Sequence, residues 1–520
     1  MRIRLRILLM LLGSALAGAP PMQAQAPRAG ATAGPRQPKL VVAIMIDQFR
    51  YDYLTRFRGE FKGGLKRLMD EGANFTSARY RHFPTVTAPG HATILTGATP
   101  AATGIIENEW WDRAASATVT SVSDAQTRLL GGQGAGSSPR RLLQSTVGDE
   151  LRASGKGGKV IGVSAKDRGA ILPAGHSADA AYWFNYTTGN FVSSTYYFDA
   201  LPAWVEEFNR ARPADKYAGR EWLKHKMPTT TGRTLYDELD TAPYTNELLQ
   251  QFALRTLAAE KLGTGAKIDL LAISYSGNDT VGHEFGPDSE EVHDMALRVD
   301  GLIGDLLRAA EAQAGPGNVL AVLSADHGVA PVPEENAKRK MPGGRVDMAQ
   351  VRTMLEQALE TKFGGKKWLS YAAGSASYLN PATIETSRAS AADVENVAAN
   401  ALRAFPHVFR VYTRQQLLDA GAPGDEFGAG VRSGFNAARS PDLIVLFDPF
   451  WIVRRTSGTT HGTLFDYDTH VPLLFWGPGI RPGRYHQTVA PNDVAPTLAN
   501  LLGIATPSGN SGRVLTELLK

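Results

Sequence analysis

Five separated runs of β-branched and aliphatic residues constrain this chain most: KLVVAIMI (39–46), KVIGVS (159–164), IDLLAISY (268–275), NVLAVL (318–323) and DLIVLF (442–447). Runs without polar alternation suit strands buried on both faces, as in parallel sheets covered by helices. Amphipathic stretches at 61–72, 246–262 and 290–314 lie between them and are long enough for crossover helices. The expected class is α/β with a mainly parallel sheet. Two intervals rich in aromatic and turn residues, near 181–241 and 331–441, break the rhythm and read as insertions forming a cap. No internal repeat is evident.

Composition narrows the chemistry. With 43% hydrophobic residues over 520, the chain can bury a large core. Fifty-five Lys plus Arg against 51 Asp plus Glu leave a formal charge of +4, too small to call for a nucleic-acid partner. Cysteine is absent, which excludes disulfides, thiolate-bound zinc and a thiol-derived nucleophile. Catalysis has to rest on oxygen and nitrogen groups.

The N-terminus reads as an address. Arg2, Arg4 and Arg6 precede an apolar run at 7–19, and Ala24 and Ala26 follow as small residues of a cleavage region. That run is too short to span a bilayer. A secretory signal is expected over 1–26, a flexible leader over 27–38 and one elaborated catalytic domain over 39–520. The expected location is the periplasm or the exterior, and an uncleaved anchor is the competing reading.

Charged side chains follow the strand-like runs, where ligands bind in open α/β sheets. Asp47 follows the first run, Lys166 and Arg168 the second, Asp279 and His283 the third, Asp326 and His327 the fourth. An Asp after a strand is ordinarily a turn or cap residue; four such ends on one rim are a constellation. Carboxylates mixed with imidazoles suit zinc better than magnesium or manganese. His461, with His470 as its rival in GTTHGTLFDYDTH, adds a further candidate. Six or seven ligands exceed the needs of one zinc and fit a pair about 3.5–4 Å apart, the arrangement that clamps both oxygens of a phosphoryl displacement. The segment HFPTVTAPGHATILTG puts Thr87 near a helix start, with Pro89 in the first turn and Gly97 as the stop. Helix N-termini attract phosphate, and a Thr hydroxyl activated by a base or metal can act as a nucleophile.

IDQFRYDYL (46–54), TAPGH (87–91), TGIIENEWW (103–111), SAKDRGAILP (164–173), NDTVGH (278–283), SADHG (324–328) and GTTHGTLFDYDTHVPLLF (458–475) together resemble the alkaline phosphatase superfamily, within it the phosphate-irrepressible, threonine-nucleophile bacterial alkaline phosphatases. The resemblance implies a three-layer αβα fold and hydrolysis of phosphate monoesters to inorganic phosphate through a phosphothreonine. It implies two zinc ions, Asp47, Thr87, Asp326 and His327 matching one site, Asp279, His283 and His461 the other. Asn108 matches a family position that donates to a phosphate oxygen, while Lys166 and Arg168 match the cationic pair that separates the monoesterases from related nucleotide pyrophosphatases and phosphodiesterases. Residues two apart on an extended strand end point the same way, so both cations are expected to face the phosphate while Asp167 points elsewhere. A monomer acting on small phosphate monoesters is expected, with no membrane span after signal cleavage.

Two other readings are carried forward: a phosphodiesterase or nucleotide pyrophosphatase on the same scaffold, and an exported metal-dependent binding protein without turnover. His91 reads as a structural hydrogen-bonding residue, and Trp110 and Trp111 as either packing or a cleft wall. No GK[ST] phosphate loop, HExxH pair or GxSxG elbow competes.

Overall fold

The computed structural model describes residues 37–419, 424–454 and 456–520; the secretory segment expected at 1–26 and the leader up to residue 36 lie outside the described residues. At the centre is an eleven-stranded sheet. Five strands, β1 (Leu40–Ile46), β2 (Gly157–Ser164), β3 (Ala180–Asn185), β4 (Ile268–Tyr275) and β5 (Val319–Ser324), lie side by side in the order β5-β1-β4-β2-β3, all parallel. Antiparallel strands continue the sheet beyond both: Leu473–Trp476 beside β5 and Asn190–Ser194 beside β3.

The parity of β1 shows why the run is apolar throughout. Leu40, Val42, Ile44 and Ile46 enter one core cluster, and Val41, Ala43 and Met45 enter the other. Helices Tyr244–Ala259 and Glu290–Ala314 close the first cluster; Val147–Ala153, α1 (Thr87–Thr96) and Val494–Leu502 close the second. The result is the three-layer αβα arrangement, in which each fully buried aliphatic side chain contributes about 1.5–3 kcal/mol.

Three expectations need correction. The run at 442–447 is a strand, Leu443–Phe447, yet it lies outside the central sheet. It pairs antiparallel with Ala376–Leu379 and Val408–Thr413 in a separate four-stranded sheet. Its two-faced burial is met locally, since Leu443, Val445 and Phe447 join one small core while Ile444 and Leu446 join another with Phe83 and Tyr412. The interval 181–241 does not start outside the sheet. It opens within β3 and supplies Asn190–Ser194, and its later side chains Val205, Leu235 and Leu239 sit in the first core. Finally, the helix expected at 61–72 is Gly64–Glu71, because the buried carboxylate of Asp300 accepts the N–H groups of Lys62, Gly63, Leu65 and Lys66 and sets the helix start.

Candidate active site

The carboxyl ends of the parallel strands bring the charged residues together. Asp47 directly follows β1, Asp326 and His327 follow β5, Lys166 follows β2, and Asp279 and His283 sit on α3 (Gly277–Phe285), which continues from β4. Asp47, Asp326 and His327 form one group, Asp279, His283 and His461 another, with ligand atoms inside each group no more than 4.8 Å apart. His327 Nε2 is 3.5 Å from Asp47 Oδ1 and 3.4 Å from Asp326 Oδ2; His283 Nε2 and His461 Nε2 are 3.2 and 3.5 Å from Asp279 Oδ1. His470 lies apart, its Nε2 on the Thr76 carbonyl and its ring stacked on Tyr51.

The three imidazoles are oriented alike. Nδ1–H donates to the carbonyl of Thr459 in His283, of Thr85 in His461 and of Gly328 in His327, at 2.8, 2.9 and 2.9 Å. A carbonyl can only accept, so Nδ1 carries the proton and Nε2 keeps its lone pair toward the carboxylates, the tautomer a metal ligand needs. Asp47 Oδ1, Asp326 Oδ2 and His327 Nε2 are buried with no hydrogen-bond partner.

Electrostatics follow from crowding. Burial and the neighbouring Asp326 push the Asp47 carboxyl well up. Burial works in the same direction on Asp279, but Lys166 and then His283 outweigh it and hold Asp279 well below the usual carboxylate range. Burial drives His327 down to about 3. It opposes the charged form of His461 too, although the hydrogen bond and charge of Asp279 raise that imidazole overall.

Lys166 joins the two groups: its Nζ is 2.6 Å from Asp47 Oδ2 and 2.5 Å from Asp279 Oδ2. The strand-alternation argument for Lys166 and Arg168 fails in detail. The extended chain ends at Lys166, and Arg168 occupies the second position of α2 (Asp167–Ala174). The turn is set by Ser164 Oγ, which accepts the Lys166 N–H at 3.1 Å. Asp167 does point elsewhere, accepting the Ser137 hydroxyl at 3.0 Å. Arg168 Nε is buried without a partner.

Thr87 is the first residue of α1, after extended Val86, and Gly97 ends the helix at φ 68°. Helices α1 and α2 pack together through Ala88, Ala92, Ala170 and Ile171. Gly90 lies so close to the end of β5 that a Cβ there would overlap the Asp326 carbonyl oxygen. Asn108 Oδ1 accepts the Ala88 N–H at 2.8 Å. His91 makes hydrogen-bonding contacts, as expected: Nδ1 is 2.8 Å from the Thr87 carbonyl and 3.2 Å from Asp326 Oδ2, and Nε2 is 2.8 Å from Ser274 Oγ.

Two further residues escape sequence reasoning. Gln48, at φ 57°, donates its backbone N–H to Asp326 Oδ1 at 3.0 Å and its Nε2 to Asp279 Oδ1 at 2.7 Å, tying the two groups together. Its only sequence signal is its place beside Asp47. Glu107 is pushed up to about 7 by burial, against the Asn108 N–H, His461 and Arg168, which favour its charged form. Asn108, Glu107 and His461 line a cavity of about 390 Å³ together with side chains of the four-stranded sheet, which joins strands of the 331–441 interval to Leu443–Phe447. Trp110 is buried and also lines this cavity, whereas Trp111 is half-buried and stacks on Tyr371.

A αβα sheet with paired carboxylate–imidazole groups at its carboxyl rim, facing a threonine at a helix start, defines a class. The chain belongs to the alkaline phosphatase superfamily, and residues 41–471 match the type I phosphodiesterase / nucleotide pyrophosphatase family. Among individual proteins it is 36% identical to alkaline phosphatase PhoV of Synechococcus elongatus, over 93% of each chain. It is 34% identical to a protein of Myroides odoratus named calcium-transporting ATPase, over 93% of this chain and 95% of that one. The crystal structure of wild-type alkaline phosphatase PafA matches with a TM-score of 0.86 at 32% identity, covering 93% of this chain and 99% of the other.

Proposed function

We propose that this protein is an exported, metal-dependent alkaline phosphatase that hydrolyses phosphate monoesters through a phosphothreonine at Thr87. The single observation that carries the reading is the convergence, at one sheet rim, of two carboxylate–imidazole groups with the first turn of α1. The alkaline phosphatases PhoV and PafA, similar along most of this chain, support it.

The donor set fits two divalent cations, with zinc the best match to mixed nitrogen and oxygen ligands. Two carboxylates, Asp47 and Asp279, share a single ammonium, and Asp47 Oδ1 and His327 Nε2 are buried without a hydrogen bond. Asp47, Asp326 and His327 would hold one ion with Thr87, and Asp279, His283 and His461 the other. When bound, such ions supply Lewis-acid stabilisation to the attacking and departing oxygens.

The chain's own groups account for the rest. Thr87 Oγ1 releases its proton and bonds to phosphorus as the phosphorus–ester oxygen bond breaks, and the departing alkoxide takes up one proton and leaves as the alcohol. Water then attacks the phosphothreonine, its oxygen joining phosphate and one of its protons returning to Thr87. The α1 N-terminus offers backbone N–H groups and a positive dipole end to the transferred phosphoryl group. Asn108, fixed through Oδ1, presents its Nδ2 to a non-bridging oxygen. Arg168, with its unpaired Nε, would meet the second negative charge that a monoester carries and a diester lacks, and Lys166 would join it once its ammonium yields its place between Asp47 and Asp279 to metal ions. The Arg-led apolar segment near the N-terminus supports export to the periplasm.

The test is the ratio of kcat/KM for an aryl phosphate monoester to that for its diaryl diester, with the zinc-loaded protein. A strong monoester preference is expected. Diester preference would move the protein to the phosphodiesterase reading, and hydrolysis of neither would favour a binding protein.

A further inference from the structure

The cavity of about 390 Å³ beside the site falls within the roughly 300–1,000 Å³ of small-molecule pockets. One wall is Glu107, Asn108 and His461, so the space starts where the phosphoryl group is held. Tyr371, Tyr378, Ile444 and Leu446 of the four-stranded sheet also line it, and among the described residues no Lys or Arg does. Tyr371 and Tyr378 have ring centroids 6.0 Å apart in an edge-to-face pair, and Tyr371 also stacks on Trp111. The Tyr371 hydroxyl donates to Glu109 Oε1 at 3.3 Å, and both residues line the cavity. Phosphate recognition uses none of this apolar surface.

We infer that this cavity is the leaving-group subsite, and that the preferred substrates are phosphate monoesters of uncharged, apolar alcohols of about one aromatic ring. The inference rests on the phosphomonoesterase reading and deepens it. Aromatic walls reward an apolar group with contact and desolvation. The Glu107 and Glu109 carboxyl groups, with no Lys or Arg beside them in the lining among the described residues, penalise a leaving group that carries its own carboxylate or phosphate.

The experiment uses the full, metal-loaded protein and primary alkyl phosphates, whose alcohols leave with nearly equal intrinsic ease. For 3-phenylpropyl phosphate, kcat/KM should exceed that for ethyl phosphate by at least about tenfold. A para-carboxylate on the ring should remove most of that gain. The corresponding phosphonates, which cannot be hydrolysed, should show the same order as competitive inhibitors. Tyr371→Ala and Ser375→Trp, which respectively open and fill the cavity from the 369–379 hairpin, should each cut the phenylpropyl-to-ethyl ratio at least about threefold. Tyr371→Phe should preserve the ratio. A wild-type ratio near one, or a ratio unchanged in both altering variants, overturns the inference while leaving monoesterase activity standing. No turnover of either monoester overturns the monoesterase reading and the inference together.

Discussion

The side-chain carbonyl of Asn108 accepts the backbone N–H of Ala88 at 2.8 Å, anchoring it to the first turn of the helix that starts at Thr87. With Oδ1 committed, the amide NH2 is the part of Asn108 available to a phosphoryl oxygen. Asn108→Ala is expected to lower monoester kcat/KM by about 10²–10³, the usual cost of one oxyanion donor. Asn108→Asp keeps an acceptor for Ala88 but has no donor and adds charge, so it should lose at least as much. Steady-state kinetics of the two variants check this; near-wild-type Asn108→Asp would reduce the residue to a helix anchor.

On the proposed reading, Arg168 is the residue expected to discriminate between ester classes. Its buried Nε lacks a protein acceptor, and its guanidinium can grip two phosphate oxygens at once. Arg168→Ala should cost about a hundredfold in kcat/KM for a monoester and less than about tenfold for a diester. Parallel kinetics on both esters decide it, and equal losses would contradict a role in reading the second charge.

Metal removal should act on stability as well as turnover. Without cations, burial first and then the Asp326 and Asp279 charges work against the ionised Asp47 carboxyl. Chelated protein should lose activity and melt at a lower temperature. Zinc at a hundredfold excess over its dissociation constant should return about 2.7 kcal/mol per site. Calorimetry with metal analysis is the check, and His283→Ala should bind one ion fewer than wild type.

His82 makes the fold acid-sensitive. Its ring is fully buried, neither nitrogen has a partner, and burial drives it from 6.5 down to about 3. The unfolded chain takes up this proton first, so stability is whole above about pH 6.5, falls as the pH drops, and levels off near pH 3. At about pH 5 the loss is about 2 kcal/mol. His82→Phe removes the titration, so the stability difference between variant and wild type should shift by that amount in the variant's favour between about pH 7.5 and pH 5. Urea denaturation at the two values measures it.

Much of the site can be read along the chain because its ligands follow strand ends. Asp47 and Asp326 need only their strands to be adjacent, and β5 and β1 are. What escapes depends on partners far off in sequence. Gln48 binds Asp326 and Asp279, 278 and 231 positions away, and no local pattern marks it. Strand alternation does not carry Arg168 beside Lys166, because the helix starts a residue after Lys166. Strand β3, AAYWFN, hid among aromatics that resembled a cap. The 442–447 run carries the pattern of a central strand because burial on both faces, not membership of the main sheet, is what that pattern records.

The central claim is transfer through Thr87. It is tested most directly by the stereochemical course at phosphorus when the metal-loaded protein transfers the phosphoryl group of an isotopically chiral monoester to an acceptor alcohol. Two successive in-line displacements, first onto Thr87 and then onto the acceptor, give overall retention of configuration, the result predicted here. Inversion would mean a single direct displacement and would contradict a phosphothreonine intermediate.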